Sequence, residues 1–258
     1  MSTGVPGLDQ LVQGGFPKSW VVLLSGGPGS GKSIMCAHYM FEGATRRNEN
    51  GVYVMFEETT SRFLKNMASV GLDFTPLIGK NKVRFINVSP LSTEREDRYK
   101  ALLKEYGLSP ITTSISFEFS TEKLVETLRA AVKEINASRI VVDSITSFKI
   151  QLKEDFSIRK NISELFKGLN ETGCTSLVTT EIKTGSLTES EFIVEEYLAD
   201  GVVKLHRLVK GEKAGEGGNV VTRAIEVQKM RGVGIDNDLH PYDITEKGIV
   251  VYPETKVY

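Results

Sequence analysis

The sequence predicts an α/β protein, doubly wound, with a mostly parallel twisted sheet flanked by helices and antiparallel strands near its C-terminus. Three observations predict it. Short apolar runs alternate with longer stretches whose apolar residues recur at three- and four-residue spacing, the pattern of βαβ units. A glycine-rich turn joins the first apolar run to the first helical stretch. After Asp200 the helical stretches stop, and apolar runs follow one another across Gly-rich turns.

Residues 21–24, 51–56, 83–87, 139–142 and 175–179 read as strands, because their nearly continuous apolar character suits burial on both faces. Residues 34–46, 60–70, 121–135 and 158–172 read as amphipathic helices between them. The runs 202–205, 224–227 and 249–252 read as antiparallel strands closing one sheet edge. Stretch 90–116 fits neither pattern: it carries the charged run 94–98 with Gly107 and Pro110, and reads as an insertion or surface excursion. No Gly, Ser or Pro linker divides the chain, so one domain over residues 1–258 is expected.

With 40% hydrophobic and 25% charged side chains, the 258 residues can bury a globular core. Thirty-two Lys and Arg against 33 Asp and Glu leave a formal charge of −1, too small for a field that draws the molecule onto nucleic acid or an acidic membrane. Cys36 and Cys174 have no metal-ligand spacing and are too few for a disulfide framework. No stretch approaches the length of a membrane span, and the N-terminus lacks a basic segment followed by an apolar one. A cytoplasmic protein is the expectation.

Gly26 to Ser33 spell G-x-x-x-x-G-K-S directly after an apolar strand and before a helix, the context a phosphate-binding loop requires. Gly26, Gly27, Pro28, Gly29, Ser30 and Gly31 form a turn whose backbone N–H groups can face phosphate oxygens without side-chain interference. Lys32 brings a point charge to the β and γ oxygens, and Ser33 offers a hydroxyl to Mg2+. Ile34 opens the following helix, whose dipole favours the anion; a third Gly in its place would be needed for a dinucleotide fingerprint.

Three further strand ends fall at the same rim. Strand 139–142 runs into Asp143, where a second acid of the Mg2+ shell sits beside such a loop, although a turn or helix cap has the same appearance. Glu57 and Glu58 end another strand and can position an attacking water, with a cap on the helix near Thr60 as the competing role for one of them. Thr179, Thr180 and Glu181 end a third, where polar side chains such as those of Thr180 and Glu181 can sense the γ-phosphate, with ordinary strand-end chemistry an equal competitor.

The chain resembles the KaiC-like branch of the RecA superfamily, ATP-binding and ATP-hydrolysing proteins of bacteria and archaea, and among them the single-domain archaeal RadA-paralogue type. The resemblance runs from Thr3-Gly4-Val5-Pro6-Gly7-Leu8-Asp9 through the phosphate loop, Phe56-Glu57-Glu58-Thr59 and Val142-Asp143-Ser144. It continues through Glu195-Glu196-Tyr197, Lys229-Met230-Arg231-Gly232 and His240-Pro241-Tyr242-Asp243-Ile244-Thr245. It implies a RecA-like P-loop NTPase core, ATP and Mg2+ as cofactors, slow ATPase turnover and a homo-oligomeric ring, a hexamer in the family. It also implies that Lys229 and Arg231 reach the γ-phosphate bound by a neighbouring subunit, the logic of an arginine finger. Ile235 stands where the family often has His, and Asp236 and Asp238 make that turn acidic. Autophosphorylation and clock function are not carried over to a chain with one such domain.

Related recombinases bind single-stranded DNA through loops lining the ring. Residues 181–200 carry six acidic side chains against Lys183 alone, a net of −5, which opposes a phosphate backbone, whereas residues 204–231 carry a net of +4. An ATPase whose nucleotide state controls assembly or contact with an unidentified protein partner is therefore preferred over a recombination accessory protein that binds single-stranded DNA. No membrane partner is expected.

Overall fold

The computed structural model describes residues 1–88, 112–114, 120–152, 155–182, 194–210 and 220–257. The first apolar run forms β1 (Val21–Gly26), all six residues buried, and the turn after it leads into α2 (Lys32–Glu42). A short helix, α1 (Leu8–Leu11), precedes them. Asp9 accepts hydrogen bonds from the Thr3 backbone N–H at 2.8 Å and the Ser2 hydroxyl at 2.7 Å, which explains why the opening segment is polar at these positions.

β2 (Asn50–Met55), β3 (Val83–Asn87), β4 (Thr112–Ser114), β5 (Ala137–Asp143) and β6 (Thr175–Glu181) follow, linked through α3 (Thr60–Ala68), α4 (Thr75–Ile78), α5 (Thr121–Ile135), α6 (Ile145–Gln151) and α7 (Asp155–Glu171). α5 spans the expected residues and is capped by Ser120, whose hydroxyl accepts from the Lys123 N–H. α8 (Val194–Leu198) leads into β7 (Gly201–Lys210), β8 (Val220–Met230), β9 (His240–Thr245) and β10 (Gly248–Val251). The ten strands lie in the order β10-β9-β8-β7-β1-β6-β5-β2-β3-β4.

From β7 to β4 every neighbouring pair is parallel, and antiparallel pairing begins between β7 and β8. Run 202–205 is thus parallel to β1 and antiparallel only to its successor. Of stretch 90–116 only Thr112–Ser114 lie among the described residues, and they extend the sheet as an edge strand beside β3.

Each face of the sheet carries its own core. Val22, Leu24, Tyr53, Met55, Val141 and Leu177 pack under α2 and α3, with Tyr53 and Phe63 ring centroids 4.7 Å apart. Val21, Leu23, Val52, Val54, Ile140 and Val178 pack under α5 and α7. Alternate residues of one strand feed opposite cores, as the two-residue period of a doubly covered sheet demands.

The β9–β10 hairpin lies against α2. Its turn residue Gly248 has φ +87°, and a Cβ there would come within 1.7 Å of His38 Nε2, the atom that accepts the Ile249 N–H at 3.0 Å. Gly248→Ala therefore adds left-handed strain and a collision, and is expected to cost about 2–4 kcal/mol in urea unfolding. A cost under about 0.5 kcal/mol contradicts this packing.

Candidate functional site

The C-terminal ends of β1, β6, β5 and β2 form one rim, and the predicted residues gather along it. Gly29 and Gly31 have φ of +71° and +93°, the left-handed conformations the loop needs, and open space faces Gly29. Lys32 is buried, and its Nζ donates to the carbonyls of Gly26 at 2.9 Å and Gly27 at 3.1 Å, so the ammonium lies over its own loop. Ser30 Oγ is buried and makes no hydrogen bond among the described residues. Ser33 and Ile34 lie in the first turn of α2, half-buried. Oxygen donors, a buried cation and an open glycine-lined turn fit a triphosphate and Mg2+.

β6 runs beside β1 with Ser25 opposite Thr180 and Gly26 opposite Glu181. Glu181 lies 3.8 Å from Lys32 Nζ, and its backbone N–H donates to Thr146 Oγ1 at 2.9 Å. Asp143 ends β5 one strand further on. Its Oδ1 accepts the Thr179 hydroxyl at 2.6 Å and its Oδ2 the Tyr53 hydroxyl at 3.2 Å, so both oxygens are aimed by neighbouring strands. Burial and then the Asp143 charge push the Tyr53 hydroxyl well above its ordinary pKa, which keeps it a donor.

The two glutamates diverge. Glu57 Oε1 accepts the hydroxyls of Ser144 at 2.6 Å and Ser147 at 2.7 Å, across the N-terminus of α6. Glu58 has its pKa raised by burial and then by the nearby Asp143 carboxylate, with Arg62 opposing. α3 is capped by Thr59, whose hydroxyl accepts from the Arg62 N–H, so neither glutamate supplies the cap considered from sequence.

Lys229 and Arg231 do not join the rim. β8 is paired so that Lys229 lies opposite Val202 and Met230 opposite Gly201, and β7 places those residues level with Leu23 and Val22. The Arg231 N–H donates to the Asp200 carbonyl, and Asp200 in turn binds the backbone of Val21. From Val21 to Gly26 is about 17 Å of strand. Lys229 Nζ instead donates to the carbonyls of Glu196 at 3.0 Å, Tyr197 at 3.4 Å and Ala199 at 2.6 Å, around the C-terminal end of α8. Arg231 pairs with Asp200 at 3.1 Å and donates to the Tyr197 carbonyl at 3.2 Å. Burial and then the Arg231 charge lower the Lys229 pKa. Both cations therefore lie beyond reach of the chain's own phosphate loop.

Sequence reasoning gave no site role to Tyr53, Ser144 and Ser147, and it placed Thr179 at the rim without its bond to Asp143. It also missed Tyr242 on β9, whose hydroxyl donates to the Ser30 carbonyl at 2.6 Å. Part of the acidic segment 181–200, residues 183–193, lies outside the described residues.

Comparison with known proteins agrees with this arrangement. A family model described as "ATPase: KaiC" matches residues 1–256. A UPF0273 protein of Pyrococcus horikoshii is 34% identical over 254 residues, covering 98% of this chain and 94% of that protein. The circadian clock oscillator protein KaiC of Prochlorococcus marinus is 29% identical over 250 residues, 97% of this chain but 44% of the clock protein. The crystal structure of a KaiC-like protein from Pyrococcus horikoshii superposes with a TM-score of 0.73 at 32% identity, covering 98% of each chain. With a family model matched over residues 1–256 and a relative 34% identical across 98% of this chain, the chain belongs to the KaiC ATPase family.

Proposed function

We propose that the protein binds MgATP on the loop from Gly26 to Ser33 and hydrolyses it slowly at sites shared between subunits of a homo-oligomeric ring, hexameric by family resemblance. Nucleotide state then controls assembly or contact with a protein partner. The observation that carries this reading is the β1–β7–β8 register, which sets Lys229 and Arg231 at the far end of the sheet from the loop they would serve. A cation that cannot reach its own nucleotide could act on one only from a neighbouring subunit, and that is the role this reading gives them.

In this reading Lys32 and the loop amides hold the phosphates, and Ser33 and Asp143 would hold Mg2+, which neutralises charge on the β and γ oxygens. Tyr53 and Thr179 fix the Asp143 carboxylate in place for that task. Glu57 and Glu58 orient the attacking water, Glu57 fixed by two serine hydroxyls and Glu58 made more basic by its surroundings. Thr180 and Glu181 flank the γ position through the β1–β6 register.

ATP turnover per subunit, measured across a concentration series with molar mass recorded at each point, tests the reading. Specific activity is expected to rise as the ring assembles. A monomer that hydrolyses ATP equally well removes the roles given to Lys229 and Arg231. The recombination-accessory alternative is separated by labelled-oligonucleotide binding: near-micromolar affinity with a steep salt slope favours it, and no binding at low salt removes it.

A further inference from the structure

We propose that Tyr242 is a positioning residue for the phosphate loop, so that the β9–β10 hairpin sets nucleotide affinity; this rests on the nucleotide-binding reading above. Tyr242 is 1% exposed, and its hydroxyl donates to the Ser30 carbonyl at 2.6 Å, joining residues 212 positions apart. A peptide unit is planar, and in the trans form its C=O and N–H point in opposite directions. The Ser30 carbonyl belongs to the same unit as the Gly31 N–H. Holding that carbonyl toward the hairpin turns the Gly31 N–H away from it, and in the nucleotide-binding reading above that is the side of the phosphates.

The hairpin also touches the loop through apolar groups. A Cβ on Gly31 would meet Ile244 Cδ1 at 3.0 Å and Ile249 Cδ1 at 3.1 Å, so both isoleucines fit against the bare glycine. On α2, His38 Nε2 accepts the Ile249 N–H at 3.0 Å. The hairpin thereby contacts the loop and the helix that the loop begins. Its ladder to the rest of the sheet is short, with Pro241 opposite Ala224 and His240 opposite Ile225.

A glycine-rich loop samples many conformations unless something restrains it, and each must be given up when phosphate binds. The phenol removes that freedom beforehand. Burial pushes the Tyr242 hydroxyl up to about 12, so the group remains a donor through neutral pH.

Tyr242→Phe removes the donor and keeps the ring. The variant is expected to bind MgADP about tenfold more weakly than wild type, as loss of one buried hydrogen bond does. The loss should be carried by KM for ATP rather than by kcat. In nucleotide-free protein, amide hydrogen exchange at Gly27, Gly29, Ser30 and Gly31 should accelerate beyond what any general lowering of the melting temperature gives. A purely structural role for the phenol would lower the melting temperature and leave ADP affinity as it was. Unchanged loop exchange overturns the tether whatever ADP does, and faster exchange with wild-type ADP affinity overturns its role in binding. If wild type itself fails to bind ADP, the nucleotide reading falls, while the exchange comparison still decides whether Tyr242 holds the loop.

Discussion

Arg231→Ala lowers ATP turnover about 10³-fold while leaving ATP affinity within about twofold, the expected result for a cation supplied by a neighbouring subunit. The guanidinium stands at the level of Val21, about 17 Å of strand from the start of its own phosphate loop. Its loss is therefore expected to leave the phosphate loop of the same chain undisturbed. It is 52% exposed at the side chain and tied to Asp200 and the Tyr197 carbonyl, so its removal costs the fold little. Fluorescent-nucleotide binding and steady-state turnover on one preparation separate the two effects. A variant that turns over at more than a tenth of the wild-type rate contradicts the role.

Replacing Glu57 and Glu58 together by Gln is the second large expected effect: hydrolysis falls about 10²–10⁴-fold and MgATP still binds. The argument rests on position and charge. Both residues follow β2 at the rim, and Phe56 before them is held to β5 by its N–H bond to the Asp143 carbonyl at 3.0 Å. The pH dependence follows from the same geometry. In the proposed role both carboxylates hold the water in ionised form, and burial with the neighbouring Asp143 raises the Glu58 pKa above its ordinary 4.5. The acid limb of kcat in wild type should therefore lie above that value, with activity lost as pH falls through it. Arg62 opposes the shift, so Arg62→Gln should move the limb further up. An unchanged rate in the double Gln variant assigns the pair to structure alone.

Much of the parallel sheet was legible because its strands are short, apolar and set between helices of clear 3.6-residue period; α5 and β3 fall where the sequence places them. The neighbours of a strand were less legible. Residues 202–205 look the same whether they run parallel or antiparallel to β1, and the choice is made by distant contacts such as the Val21 N–H bond to Asp200. β9 was missed because His240, Pro241, Asp243 and Thr245 dilute its apolar residues, Tyr242 and Ile244, and proline argues against a strand except near an edge.

The same division holds at the site. Gly26 to Ser33 could be read because only a few residue types allow that loop, and Asp143 because a carboxylate ends an apolar strand. Tyr53 could not, since a tyrosine within a strand looks like packing until its hydroxyl is seen on Asp143, and Thr179 was legible only as a polar strand end, not as a partner of that carboxylate. Nor does a motif reveal that Tyr242 meets Ser30, because the contact depends on how the last hairpin folds back over α2.

Shared active sites are the central claim, and mixing two inactive variants tests it most directly. One, Arg231→Ala, keeps an intact phosphate loop and glutamate pair; the other, Glu57→Gln with Glu58→Gln, keeps its Arg231. Turnover measured after the two are allowed to co-assemble is predicted to recover a substantial fraction of the wild-type rate, because the first variant's loop then faces the second variant's arginine. A mixed assembly that remains as inactive as either variant alone contradicts the account.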